Sequence, residues 1–110
     1  MPAYHHHRYA MPLQLSDAQF RTVAAILART SKRLVSIHRA YAEGRLAASH
    51  VKQTRHIRNA MGVLLAQFED GMFHGSIEPD MVNAMRIFEA EANALLCSIY
   101  GVDDAREMVA

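Results

Sequence analysis

The sequence predicts an all-α fold, a small antiparallel bundle of three long helices plus a short C-terminal turn. Apolar residues recur at alternating spacings of three and four in three separate segments, and no segment shows the strict alternation of a half-buried strand. Turn-forming stretches separate the segments, and short turns between long helices favour antiparallel neighbours. With 110 residues, 51% of them hydrophobic and 21% charged, the chain fits one folded domain.

The first helix follows an N-terminal segment, residues 1–15, which lacks a sustained period and is predicted to be a flexible arm; residues 16–110 form the domain. Ser16 is a favourable N-cap residue, and Gln19 stands three residues later, as in a capping box. Gly44 can adopt the left-handed conformation that ends a helix, which gives about 27 residues, or roughly 40 Å. The predicted buried stripe is Phe20, Val23, Leu27, Thr30, Leu34, Ile37 and Tyr41.

Two further stripes predict the second and third helices. The second stripe is His50, Thr54, Ile57, Met61, Leu64 and Phe68. Gly71 and Gly75 mark a turn of about six residues, and Pro79 suits the first turn of the third helix. Gly101 is predicted to end that helix, and residues 103–109 are predicted to form the terminal turn. The third stripe is Met81, Met85, Phe88, Ala92, Leu95, Ile99 and Val102.

The third helix carries further apolar residues away from its main stripe: Ile87, Ala90, Ala94, Cys97 and Tyr100. They make the helix apolar around more than half of its circumference, and two arrangements are open. The helix either packs between the other two or presents a second contact surface to another molecule. Because symmetric dimers are the commonest oligomers, the second arrangement predicts a homodimer. These five residues are the candidate protein-interaction site.

Basic and acidic side chains collect in different parts of the chain. Residues 29–58 hold eight basic side chains and one acid, Glu43, whereas residues 69–110 hold nine acids and two arginines. The basic patch is Arg29, Lys32, Arg33, Arg39, Arg45, Lys52, Arg55 and Arg58. It can be a solvated face or bind phosphate. It can also pair with the acids of the third helix and the tail, within one chain or across a dimer. Residues 36–55 have the turn glycine of a helix-turn-helix motif, but the positions that lock that motif are polar here.

The sequence shows no pattern typical of catalysis or of a cofactor or metal site. The seven histidines lack metal-ligand spacings, and the run from His5 to His7 lies in the predicted arm. Cys97 is the single cysteine, so an internal disulfide is excluded and a reducing compartment is expected. We therefore expect a protein that is not an enzyme and that binds no cofactor or metal. Without a secretory signal or ~20 consecutive apolar residues, a cytoplasmic location is expected.

Three features together resemble a known family: the long basic helix from Asp17 to Glu43, the second helix through His56-Ile57-Arg58-Asn59-Ala60-Met61, and the methionine-rich third helix. In size and helical style, residues 15–102 are similar to the QslA-type antiactivators of bacterial quorum sensing, which act on LuxR-type transcription regulators such as LasR. The resemblance implies a homodimer that binds the regulator's ligand-binding domain and prevents its dimerisation or DNA binding. It assigns no individual functional residue.

Two classes of function follow from these patterns. The first is a non-catalytic regulator that binds a protein partner, and the methionines of the third helix suit either its core or a contact with that partner. A phage-type inhibitor of a host protein would share this mechanism. The second class is a small nucleic-acid-binding protein that uses the basic patch. Salt distinguishes them, because phosphate binding weakens steeply as salt rises and apolar contact does not.

Overall fold

A computed structural model describes residues 14–69, 71 and 77–101, and it confirms the all-α bundle. These residues form three long helices and contain no strand. The helices are α1, Asp17–Ala42; α2, Ala48–Phe68; and α3, Pro79–Tyr100.

The start of α1 is fixed by the predicted capping box. The backbone N–H of Gln19 donates to the Ser16 hydroxyl at 3.1 Å, and the backbone N–H of Ser16 donates to the Gln19 side-chain oxygen at 2.9 Å. Two of the unpaired donors at the helix start are satisfied in this way. Leu15, at the end of the predicted arm, is half-buried against the core, so ordered packing begins before the helix does.

The end of α1 is a Schellman turn built on Gly44, whose φ of 70° lies in the left-handed region as predicted. The Gly44 N–H donates to the Tyr41 carbonyl at 3.2 Å, and the Arg45 N–H donates to the Ala40 carbonyl at 2.8 Å. This pair of bonds satisfies two carbonyls of the last turn. The chain then reverses within residues 43–47 and enters α2.

The start of α2 has no side-chain acceptor at the N-cap, because that residue is Ala47. His50, three residues later, accepts the Ala47 N–H on Nδ1 at 2.8 Å and so acts as the N3 half of a capping box. Thr54 is fully buried and donates its hydroxyl to the His50 carbonyl at 2.7 Å. Both polar residues of the predicted stripe are therefore used in ordering the first turns of α2.

Helix α3 begins with Pro79 in its first turn and is followed by Gly101 at φ 86°, as the sequence predicts. The connection from α2 comprises residues 69–78, which is longer than the expected six. Val102 and the predicted terminal turn at residues 103–109 lie outside the described residues.

The core lies mainly between α2 and α3, and α3 also packs on α1. Direct packing of α1 on α2 is sparse although the two helices are consecutive. Helix α3 therefore lies between the other two, which was one of the two arrangements left open. The fully buried large side chains are Leu34, Ile37, Met61, Met85, Leu96 and Thr54.

The predicted burial of one residue in the α1 stripe is wrong. Tyr41 is 43% exposed, whereas its neighbour Ala40 is buried. The buried side of α1 thus shifts by one residue in the last turn, just before the chain reverses at Gly44. The Tyr41 phenol remains in solvent, where its hydroxyl needs no protein partner.

Candidate protein-binding surfaces

Four apolar residues of α3 that lie outside its main stripe are exposed. Ile87 is 53% exposed, Tyr100 is 38% exposed, and Ala90 and Ala94 are also exposed. We call these four residues the outer face of α3. From Ile87 to Tyr100 there are 13 residue steps, or about 20 Å of helix. The two alanines leave little side chain between the backbone and an approaching helix, which permits close packing.

Cys97 belongs with the core more than with the outer face of α3. It is half-buried and packs against a small cluster formed by Val51 and Leu96 at one end of the α2–α3 interface. The sequence placed it on the interaction surface because it lies three residues after Ala94. The α3 helix turns this position partly toward α2, so a charged residue at Cys97 would perturb folding as well as binding.

The described methionines of α2 and α3 fill the core. Met61 and Met85 have no exposed surface, and Met81 is half-buried against the same cluster. Unbranched, polarizable side chains pack well in irregular gaps between helices. The apolar surface available to a partner is therefore supplied by Ile87 and Tyr100 rather than by these methionines.

The basic patch is exposed, with Arg58 half-buried as its one exception. Arg45 pairs with Glu43 at 2.6 Å, and Arg58 donates to the Asn59 side chain at 3.0 and 3.1 Å. Within residues 14–69, 71 and 77–101, the other six have no ion pair. Those six are Arg29, Lys32, Arg33, Arg39, Lys52 and Arg55.

Two acids of α3, Glu89 and Glu91, lie near groups other than these six basic residues. Glu91 faces His38 of α1 at 3.9 Å, in an exposed and weak pair. Glu89 lies over Gly62 of α2, close enough that an added Cβ would meet its Oε2 at 2.9 Å. The two carboxylates thus lie toward different helices, because residues two apart are on different sides of a helix. Among the described residues, no acid of α3 forms an ion pair with these six basic residues. The acids after residue 102 lie outside the described residues, and pairing across a dimer stays a prediction.

A groove lies between α1 and α2, and no pattern in the sequence predicts it. A cavity of about 550 Å³ lies midway along the two helices, and a second of about 320 Å³ lies between the start of α1 and the end of α2. Leu64 lines both. The larger cavity is lined by Ile26, Arg29, Thr30, Arg33, His56, Ile57, Ala60, Met61, Val63 and Leu64.

In the residues that the structure describes, no three His, Cys, Asp or Glu side chains come together as metal ligands would. His5 to His7 and His74 lie outside those residues. Also within the described part, none of the helices has the length and apolar character needed to span a bilayer.

The fold and its surfaces define a class of protein: a three-helix bundle with exposed apolar residues on one helix, an exposed basic patch and an inter-helix groove. Comparison of the chain with protein-family models, curated proteins and solved structures gave no match. The function is therefore argued from these surfaces.

Proposed function

We propose that this protein is a non-catalytic, cytoplasmic regulator that acts by binding another protein, and that it is a homodimer. The proposal is carried by the outer face of α3, where Ile87 and Tyr100 expose large apolar side chains and two alanines between them in the sequence are also exposed. Helix α3 already packs on both other helices, so its remaining apolar surface is more than folding of one chain requires. Apolar side chains that a bundle leaves exposed on one helix are candidates for contact with another protein.

In the form that the resemblance to QslA-type antiactivators implies, the partner is a LuxR-type transcription regulator. Binding would block dimerisation of the regulator or its attachment to DNA. An apolar helix face suits this task, because it can lie in a groove of the partner or against one of its helices. A phage-type inhibitor of a host protein would use the same surface in the same way.

Mixing the purified protein with the ligand-binding domain of a LuxR-type regulator tests the proposal. We expect one co-eluting peak in size-exclusion chromatography at micromolar concentration, and light scattering that gives twice 12.3 kDa for the protein alone. Two independent peaks would count against the regulator as partner. A monomeric mass at all concentrations would refute the homodimer.

A second candidate function, binding of nucleic acid, is favoured by the six exposed basic residues that have no ion pair within the described part of the chain. Clustered Lys and Arg suffice for non-specific contact with phosphates. A labelled duplex of 20 base pairs should then bind at low salt, with affinity that falls linearly with salt on logarithmic axes. Failure of the duplex to bind at low salt would exclude this function.

A further inference from the structure

The groove between α1 and α2 has the shape of an elongated trough. As the lining residues advance from Leu15, just before α1, to Arg33, those of α2 go back from Phe68 to His56, so the helices run antiparallel along it. At 1.5 Å per residue, the lining extends about 23 Å along α1 itself and about 18 Å along α2. A volume of about 550 Å³ in the larger cavity holds several side chains but not a whole helix.

The floor of the groove is apolar and stays uncovered because α1 and α2 pack sparsely on each other. Val63 is 57% exposed, and Ile26, Ala60 and Leu64 are half-buried. Apolar side chains at such positions gain free energy when another apolar surface covers them. The floor therefore favours an occupant with an apolar stripe.

The charge of the groove is confined to one end. Arg29 and Arg33 lie four residues apart on α1, which places them about 6 Å apart along the helix axis. His56 of α2 lines the same cavity, and neither arginine has an acidic partner among the described residues. The cavity at the other end is lined by uncharged residues: Leu15, Ala18, Gln19, Thr22, Val23, Leu64, Gln67 and Phe68.

We propose that this groove binds an amphipathic α-helix of a partner protein, about 12–18 residues long, that carries carboxylates at one end only. The helix would insert its apolar stripe over Val63 and Leu64. Carboxylates at positions i and i+4 of the partner are also about 6 Å apart along its axis, so they match Arg29 and Arg33. Arginine can bind each carboxylate through two parallel N–H bonds.

A protein helix fits this groove better than a nucleic acid does. A phosphate backbone would use the two arginines but would leave the apolar floor, which includes Val63, against a charged ligand. The site is also separate from the outer face of α3, so this inference goes beyond the proposed function and can fail independently of it.

The test uses a fluorescein-labelled synthetic helix of 18 residues with a leucine stripe and two Glu residues, four apart, beside the stripe in one half. A matched peptide has Gln in place of both Glu residues. Fluorescence anisotropy measures the affinity of each peptide for the full-length protein. We call Arg29 and Arg33 the rim of the groove, and the rim variant is the double substitution Arg29→Gln with Arg33→Gln. Its control, Lys32→Gln with Arg39→Gln, removes the same charge from exposed positions outside the groove.

We expect the rim variant to weaken binding of the Glu peptide by about 10-fold, because two charge-assisted contacts are lost. The Lys32→Gln, Arg39→Gln control should change it less than about 2-fold, and the Gln peptide should not distinguish the rim variant from the unsubstituted protein. Val63→Glu should weaken the binding of both peptides, since it introduces a charge into the apolar floor of the groove. Ile87→Asp on the outer face of α3 should leave the affinity of both peptides unchanged. This variant therefore separates failure of this inference from failure of the proposed function.

Several results would overturn the inference. Equal affinity of the two peptides, or equal losses in the rim and control variants, would show that the arginines do not select carboxylates. Absence of peptide binding would mean that the groove is not open to a partner, because a second copy of the chain or residues 102–110 cover it. If a second copy covers the groove, Val63→Glu should convert a dimer to a monomer. If a 20-base-pair duplex bound more tightly than the Glu peptide, and the rim variant lost that binding, Arg29 and Arg33 would be assigned to binding phosphate.

Discussion

Met85→Ala is the sharpest test of the core between α2 and α3. Met85 has no exposed surface and belongs to the main apolar cluster. The change removes three heavy atoms, worth about 2 kcal/mol in transfer free energy, and leaves a cavity that raises the total cost to about 3 kcal/mol. That is a large part of the ~5–15 kcal/mol that stabilises a typical domain.

Urea denaturation followed by far-ultraviolet circular dichroism measures this cost, because the chain has no Trp for fluorescence. With a slope of about 1.5–2 kcal/mol per molar urea, the midpoint should fall by roughly 1.5–2 M. Met85→Leu, which nearly conserves the side-chain volume, should cost less than about 1.5 kcal/mol. Val35→Ala, at an exposed position, should change stability by less than about 0.5 kcal/mol. A midpoint for Met85→Ala close to that of the unsubstituted protein would refute the placement of α3 against α2.

Three further substitutions test local features by the same urea assay. Gly44→Ala should cost about 1 kcal/mol from backbone strain alone, since φ is 70° and no atom lies within 4 Å of the added Cβ; an unchanged midpoint would contradict the Schellman turn. His50→Ala should cost about 0.5–1 kcal/mol through loss of the bond to the Ala47 N–H, whereas His50→Gln should retain most of it. Gly62→Ala should gain less than the ~1 kcal/mol expected from helix propensity, because Glu89 must move; in a Glu89→Ala background the full gain should return, and additive effects would argue against this contact.

The helices were predictable because each stripe sums six or seven positions with the same period. The termini were predictable where one residue determines the conformation, as Ser16, Gly44 and Pro79 do. The start of α2 was harder to place, because its cap depends on the imidazole of His50 rather than on a usual N-cap side chain. These features depend on residues that are close together in the sequence, so the sequence predicts them directly.

The surfaces depend on how the helices are arranged, which sequence periodicity does not encode. The apolar positions Ile87, Ala90, Ala94 and Tyr100 were predicted as a candidate surface, and they are exposed. Cys97 lies on the boundary between the two sides of α3, where a small rotation decides its burial. The groove arises because α3 separates α1 from α2, and that spacing follows from packing across distant parts of the chain.

The central claim is that the outer face of α3 binds protein, and one measurement addresses it most directly. Ile87→Asp and the control Val35→Asp introduce the same charge at apolar positions of similar exposure, 53% and 56%. Each variant is mixed with the ligand-binding domain of a LuxR-type regulator and analysed by size-exclusion chromatography with light scattering. We predict that Ile87→Asp alone abolishes the homodimer and the complex, with helical content unchanged. Equal behaviour of the two variants, with dimer and complex intact, would contradict the claim.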